Sequence, residues 1–313
     1  MAEIRCDECG AVAAVELRYA HARMCPGCFT SFFEERVRKT VRENGLFTRK
    51  ERIVVALSGG KDSVVLLKLL HDAFDGSRGI TLAALTIDEG IAGYREKTLA
   101  SARKVCADLG VEHHVHSIRE EFGLSLDEIM AAVGGRVPAC SFCGVLRRRM
   151  LNDLARRLSA TKVATGHNLD DEVQTSFMNF VRGDVARIAR LGARVGFVSD
   201  KRFVPRVKPL RDTPEREVAL YALFKGLPTG FDECPFSRRA FRVYVRDLLN
   251  DAEEERPGTK LALLSSTDRL VGLVRRAQVR GVIGSCVKCG EPSSSGVCKV
   301  CVMLDGFSRL RRR

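Results

Sequence analysis

Arg52-Ile53-Val54-Val55-Ala56-Leu57-Ser58-Gly59-Gly60-Lys61-Asp62-Ser63-Val64-Val65-Leu66-Leu67 joins two kinds of periodicity. A β-branched run leads into Ser-Gly-Gly-Lys-Asp-Ser, and an apolar pattern with helical spacing follows at once, so the turn lies between a buried strand and a helix N-terminus. Such a turn is built to take an anion. Gly59 and Gly60 can adopt torsions closed to other residues, which lets successive N–H groups point inward, and the positive end of the helix dipole adds to their pull. Lys61 and the hydroxyls of Ser58 and Ser63 would complete a phosphate cradle. An ordinary strand-to-helix turn capped by Asp62 has no need of two glycines, a lysine and two hydroxyls together.

The spacing is not Walker A, which places four residues between its first glycine and the Gly-Lys pair. It resembles the PP-loop of the ATP pyrophosphatases, which cleave ATP between the α and β phosphates and adenylate a substrate oxygen. Strand signals at Ile53–Leu57, Ile80–Ile87, Val111–Ile118 and Lys162–Thr165 alternate with helical patterns at Ser63–Phe74, Tyr94–Leu109 and Val145–Leu158. That alternation predicts an α/β fold with a doubly wound parallel sheet. Ligands of such sheets bind at the carboxyl ends of the strands, so Ser58–Ser63, Ile87-Asp88 and Gly166-His167-Asn168 should converge on one crevice. Gly166-His167-Asn168-Leu169-Asp170-Asp171 opens a further helix, with Asn168 as its expected cap. Asp171 then either serves the first turn of that helix or approaches ATP-bound magnesium.

Ten of the twelve cysteines fall into five close pairs. Cys6/Cys9 and Cys25/Cys28 flank fifteen residues, and Cys286/Cys289 and Cys298/Cys301 flank eight. Two C-x-x-C knuckles close a thiolate tetrahedron, so each end of the chain is expected to be a zinc finger. His21 lies inside the first loop and is a spare donor. Cys140 and Cys143 have no neighbouring second pair. Of the two remaining cysteines, Cys106 falls within a predicted helix and reads as core, whereas Cys234 sits in a loop-like stretch and is the better partner. Three thiolates with one open position suit a catalytic metal or a [4Fe–4S] cluster with one free iron; a nucleophile and a resolving thiol carrying persulfide sulfur are the alternative.

The net charge of +13 and the runs Arg147-Arg148-Arg149, Arg156-Arg157 and Arg311-Arg312-Arg313 suit a polyanionic partner or a solvated basic surface. With no apolar run of membrane-spanning length and no apolar leader, the expectation is a soluble, cytoplasmic protein without membrane contact. The expected organisation is an N-terminal zinc finger over 1–30, a linker helix over 31–51, a PP-loop domain with a helical extension over 52–256, and a helix, second zinc finger and basic tail over 257–313. Thr213-Pro214 marks a helix start, and further helical patterns run through Phe241–Glu254 and Leu261–Val279.

Taken together, Ser58-Gly59-Gly60-Lys61-Asp62-Ser63, Cys140-Ser141-Phe142-Cys143-Gly144, Gly166-His167-Asn168-Leu169-Asp170-Asp171, Met178-Asn179-Phe180-Val181-Arg182-Gly183-Asp184 and Glu233-Cys234-Pro235 resemble the tRNA 2-thiouridine synthetases, the TtuA and cytoplasmic tRNA 2-thiolation protein family. The resemblance spans essentially the whole chain. It implies an ATP-dependent tRNA uridine 2-sulfurtransferase that adenylates the C2 oxygen of a wobble or T-loop uridine, replaces it with sulfur and releases AMP and pyrophosphate. It further implies that Ala56, Leu57, Ser58, Gly59, Gly60, Lys61, Asp62, Ser63, Ile87, Arg147 and Gly166 hold ATP with Mg2+, and that Asp171 assists adenylation. Cys140, Cys143 and Cys234 would carry the [4Fe–4S] cluster, and two Zn2+ would sit in the terminal cysteine sets. Partners would be tRNA, a sulfur donor (free sulfide, a persulfide carrier or a thiocarboxylated ubiquitin-like protein) and a second copy in a homodimer. Some members carry lysine where Arg147 stands. The competing readings are a cytidine 2-thiolating relative, which would match only the middle of the chain, a PP-loop amidotransferase or lysidine-forming ligase, which would leave three cysteines idle, and a zinc-ribbon nucleic-acid binder with a vestigial PP-loop.

Overall fold

The computed structural model describes residues 3–134, 137–195, 200–230, 234–236, 241–277 and 283–310. In chain order these form β1 (Val15–Leu17), β2 (Ala22–Met24), α1 (Pro26–Glu43), β3 (Glu51–Ala56), α2 (Lys61–Phe74), β4 (Ile80–Asp88), α3 (Arg95–Leu109), β5 (Glu112–Ser117), α4 (Ile118–Phe122), α5 (Leu126–Val133) and α6 (Ala139–Arg157). There follow β6 (Lys162–Thr165), α7 (Leu169–Val181), α8 (Val185–Ile188), β7 (Arg194–Val195), β8 (Arg206–Val207), α9 (Glu215–Phe224), α10 (Phe241–Glu255), α11 (Thr259–Ala277), β9 (Gly284–Ser285), β10 (Pro292–Ser293) and α12 (Lys299–Leu310).

The central sheet has the order β5-β4-β3-β6-β8-β7, and all of it is parallel except β7 at one edge. Strand order reverses between β3 and β6, and this is the switch point at which a doubly wound sheet opens a crevice beyond its carboxyl ends. Strand alternation divides the core between the two faces. Ile53, Val55 and Leu57 pack with α1, α2 and α9, while Val54, Ala83, Leu85 and Ile87 pack with α5, α6 and α12. Ile53, Val54 and Val55 are wholly buried, and each contributes about 1.5–3 kcal/mol by leaving water. A third cluster, around Leu169, Val173, Val245 and Leu264, joins α7 to α10 and α11 and sets the helical layer beside the crevice.

The four strands expected from sequence are present to within two residues of their bounds. Edge strands β7 and β8 are only two residues long, too short for a period to register. Helix α1 begins at Pro26, inside the second cysteine knuckle, because Cys25 doubles as its N-cap and accepts the Cys28 N–H at 3.4 Å. It is no spacer: Phe29, Phe33 and Val37 share one core with Ile53 and Leu66, and Phe33 stacks on Tyr221 of α9 with centroids 4.4 Å apart. Helix α6 begins at Ala139, six residues before the expected Val145, which places Cys140 and Cys143 in its first turns. Helix α9 begins at Glu215 with Pro214 as its cap, and the Asp170 carboxylate takes the first helical N–H at 2.7 Å. The expected last residues of α11, Gln278 and Val279, lie outside the described residues, as do Glu233 and Arg311–Arg313. No described helix is long and apolar enough to cross a membrane.

Candidate functional site

The Ser58–Ser63 turn is held by its own hydroxyls. Ser63 Oγ donates to Gly60 O at 2.9 Å, accepts the Ser58 N–H at 3.1 Å and meets Ser58 Oγ at 3.1 Å. Gly59 has φ +85, and a Cβ built there would stand 1.8 Å from Thr98 O, so only glycine lets the turn lie against α3. Gly166 is excluded from growing in the same way, since a Cβ would come within 2.9 Å of the Asp62 carbonyl and the Ser63 nitrogen. The two strand ends therefore meet backbone to backbone. Ala56 and Leu57 lead into the turn from the sheet, where Leu57 N donates to Leu85 O at 2.9 Å.

On the β6 side, Asn168 does two things at once. Its Oδ1 caps α7 by accepting the Asp171 N–H at 3.1 Å, and its Nδ2 donates to Asp62 at 3.0 Å, tying the two loops together. Asp62 and Asp171 are both pushed above the usual carboxylate range by burial, with Lys61 opposing this at Asp62 and Arg242 at Asp171. Arg242 reaches Asp171 at 3.2 Å from the first turn of α10. Lys61 is held at 2.6 Å by Glu215 and at 3.2 Å by Asp62. His167, exposed on its outer side and bonded to Thr165 Oγ1 at 2.8 Å, has its pKa driven down to about 3 by the loss of water around its ring, with Lys208 adding to it.

The third wall carries the sulfurs. Arg95, at the start of α3 and only 3% exposed, donates to Ser58 O at 2.9 Å and to Ile87 O at 2.8 Å, while its Nε lies 2.8 Å from Glu89. Glu89, 4% exposed, also holds Arg147 at 3.1 Å, one turn of α6 beyond Cys143. Burial raises the Cys143 thiol to about 11; charge on Glu89, Cys234 and Cys140 adds to this and the Arg147 guanidinium opposes it. Cys234 is likewise raised, first by burial and then by Cys140 and Glu89. Cys143 and Cys234 pack on the same cluster as Phe142 and Leu146, and Cys140 lies one turn before Cys143 on α6, but these three sulfurs are not gathered within 4.8 Å of one another as the terminal sets are. Cys106 is buried in α3 with its thiol raised to about 12, as expected of a core residue.

Residues 30–253 match the PP-loop domain family. The chain is 39% identical to the tRNA 2-thiolation protein NcsA of Haloferax volcanii, over 97% of this chain and 99% of that one. The chain belongs to the tRNA 2-thiolation protein family. Cytoplasmic tRNA 2-thiolation protein 1 of Drosophila melanogaster is 38% identical over 97% of this chain and 88% of its own length. Among solved structures, the U34-tRNA thiolase NcsA from Methanococcus maripaludis with its [4Fe-4S] cluster superposes with a TM-score of 0.84 at 33% identity, covering 98% of this chain and 97% of that one.

In this tRNA 2-thiolation protein, both terminal cysteine sets are assembled, each with four sulfurs within 4.8 Å of one another. His21 stands outside the first set. Backbone N–H groups point at the sulfurs, Cys28 N at Cys25 and Cys298 N at Cys286, and the Cys6 and Cys286 thiols are drawn down to about 6, chiefly by the backbone of Cys25 and of Cys298. The N-terminal module is docked on α9, where Tyr19 and Arg36 both reach Glu217, at 2.6 and 2.9 Å. The C-terminal module is docked on α6, through Phe307 on Phe142 at 5.4 Å and Arg156 to Glu291 at 2.6 Å. Sequence reasoning missed Glu89, Arg95, Glu215 and Arg242. Arg95 carried a faint signal, a cation at a helix N-terminus, where the dipole disfavours it unless carbonyls or carboxylates hold it. The other three act across elements far apart in sequence and left none.

Proposed function

We propose that the chain is an ATP-dependent tRNA uridine 2-sulfurtransferase acting in the cytoplasm, as the names of its fly relatives suggest. The observation that carries this is the Arg95–Glu89–Arg147 chain, which links the Ser58 carbonyl of the glycine turn and the Ile87 carbonyl of β4 to the helix bearing Cys140 and Cys143. A nucleotide pocket and three sulfurs with a common wall suit activation of an oxygen followed by its replacement with sulfur. The solved relative acts on U34, which favours the wobble uridine over a T-loop position.

ATP would lie with its phosphates over Gly59 and Gly60, and Lys61 would leave Glu215 to meet them. Asp62 and Asp171, bridged by Asn168, offer carboxylate oxygens to Mg2+, which prefers one or two such ligands alongside phosphate. Adenylation turns the C2 oxygen of the uridine into a leaving group, and Arg147 supplies a fixed positive charge between that centre and the thiols. Cys140, Cys143 and Cys234 suit a [4Fe–4S] cluster with one iron free of protein sulfur, which would supply a sulfur nucleophile at neutral pH. The terminal sets suit zinc rather than the cluster. A tetrahedron with metal–sulfur bonds of about 2.3 Å has edges of about 3.8 Å, and the sulfur separations of 3.6 Å for Cys9–Cys25 and 3.7 Å for Cys289–Cys298 fit a single ion.

The test is anaerobic purification with iron, sulfide and zinc quantification, followed by thiolation of a tRNA transcript with ATP and sulfide. Wild type should hold iron and form 2-thiouridine; Cys140→Ala and Cys234→Ala should lose both yet keep zinc and ATP binding, and Lys61→Ala should lose ATP binding. Thiolation that survives Cys140→Ala and Cys234→Ala would refute the assignment.

A further inference from the structure

The inner face of α10 is spent on packing, with Val245 and Leu249 buried against α7 and α11. Its outer face is not. Phe241 and Tyr244 stand on it 41% and 65% exposed, with ring centroids 6.2 Å apart and planes within 19°. The Arg182 guanidinium, at the end of α7, lies 5.8 Å from the Phe241 centroid. Arg242, between the two rings in sequence, turns toward the crevice and binds Asp171 at 3.2 Å and Thr175 at 2.9 Å. The ring pair is therefore fixed to the helix whose first turn carries Asp171.

Further cations lie on α6 and on β8, the strand beside β6 in the sheet. Arg148 on α6 is close enough to Arg147 and Arg187 for their charges to lower its pKa further after burial has done so, and Arg148 acts on Arg206 of β8 in turn. Among the described residues neither Arg148 nor Arg206 has a carboxylate partner. Flat exposed rings with the Arg182 guanidinium against one of them, on a protein that carries further guanidiniums without carboxylates, match an unpaired nucleotide strand, whose bases stack on ring faces while its phosphates take arginine. They suit a second copy of this chain poorly, because a two-fold contact would bring each arginine-rich face, on a protein of net charge +13, against itself.

We propose that Phe241 and Tyr244 form a stacking platform for an unpaired base next to the reacting nucleotide of the RNA, with Arg148 and Arg206 taking backbone phosphates. This rests on the reading of the substrate as a tRNA loop. The platform holds the strand by ring stacking while Arg242 ties the same helix to the adenylation site, so a base seated outside positions its neighbour inside.

The chain contains no tryptophan, so Tyr244→Trp introduces a single reporter. The probe is a synthetic anticodon stem-loop, compared with a fully paired duplex of the same composition, with binding followed by anisotropy of a labelled RNA end. Tryptophan emission should fall at least twofold as the stem-loop saturates and stay level at equal occupancy by duplex. Tyr244→Ala should weaken stem-loop binding about tenfold while ATP affinity and iron content hold. Unquenched emission together with wild-type affinity in Tyr244→Ala overturns the platform alone. So does a loss of dimer on sedimentation in Tyr244→Ala with RNA affinity unchanged, which would make this face a self-contact. A wild-type protein that binds no stem-loop overturns the tRNA reading and the platform with it.

Discussion

Replacing Glu89 by glutamine should damage two parts of the molecule that share no sequence neighbourhood. Glu89 and Arg95 are 4% and 3% exposed, and the carboxylate serves Arg95 at 2.8 Å and Arg147 at 3.1 Å. Removing one member of a buried ion pair costs about 3–5 kcal/mol, because the other charge is left without compensation. Glutamine keeps one acceptor oxygen for one of the two guanidiniums, and the Arg147 side chain is 46% exposed, so water screens its share. The expected loss is therefore near the lower end, about 3 kcal/mol, and almost all of it arises at Arg95. Urea unfolding of anaerobically prepared protein measures it as a lower midpoint at unchanged slope. Because Arg95 fixes Ser58 O and Ile87 O, ATP affinity should fall as well. Arg147→Ala leaves the Arg95–Glu89 pair intact and should cost under about 1 kcal/mol. Glu89→Gln unfolding at the wild-type midpoint, or Arg147→Ala costing as much as Glu89→Gln, would refute the reasoning.

Acid should reveal His167. Its folded pKa of about 3 lies below the unfolded value of about 6.5, so the native state holds it neutral; the stability this confers is complete above pH 6.5 and drains away as pH falls toward 3. His167 is more than a third exposed, so water screens much of this, and the loss at pH 5 is about 1 kcal/mol or less; the difference between stabilities measured at pH 7 and pH 5 should shrink by that amount in His167→Asn. The two cysteine modules should fail differently when each is broken. Cys9→Ser loosens the support of α9, which packs against α2 behind the Ser58–Ser63 turn, and should weaken ATP binding with iron retained; Cys289→Ser loosens α6 and should lower iron content with ATP affinity less affected. Isothermal titration and iron analysis on both variants check this, and identical effects on the two readouts would count against separate roles.

The parts of the site that were legible in the sequence are those whose chemistry is local. Ser58–Ser63 declares a strand-to-helix turn because two glycines, a lysine and two hydroxyls occur within six residues, and each C-x-x-C declares a knuckle within four. Asn168 and Asp171 could be placed at a helix start because a capping residue followed by first-turn acids is a pattern complete within four residues. Cys234 was singled out by its loop-like surroundings, by Cys106 falling in a helix, and by the resemblance of Glu233-Cys234-Pro235 to the family's motif. What stayed hidden is the set of contacts made between elements. Glu89 follows a strand end and could have been any solvated acid; only the packing of α3 and α6 makes it the shared partner of Arg95 and Arg147. Glu215 read as a favourable charge in a first helical turn, which it is, and its reach to Lys61 depends on where α9 crosses α2. The start of α6 was misplaced for a related reason: Cys140-Ser141-Phe142-Cys143 has weak helix propensity by itself, and burial of Phe142 against Phe307 outweighs it.

Arginine at position 147 constrains the chemistry more than a lysine there would. A guanidinium stays protonated throughout the working range of pH, so it can neither take a proton from the reacting centre nor return one. What it can do is hold a constant field. Its charge acts on Cys143, where it opposes the upward push of burial, and the Glu89 carboxylate in turn stabilises the guanidinium. Glu89 fixes the aim of Arg147, and through Arg95 it fixes the Ser58 and Ile87 carbonyls as well. The same carboxylate thus sets the distance between the turn that would receive phosphate and the cation that faces the thiols. Of the two jobs a cation beside a nucleotide can perform, proton shuttling and charge stabilisation, this geometry permits only the second, and any proton released when oxygen is exchanged for sulfur must leave by water or by a group other than residue 147.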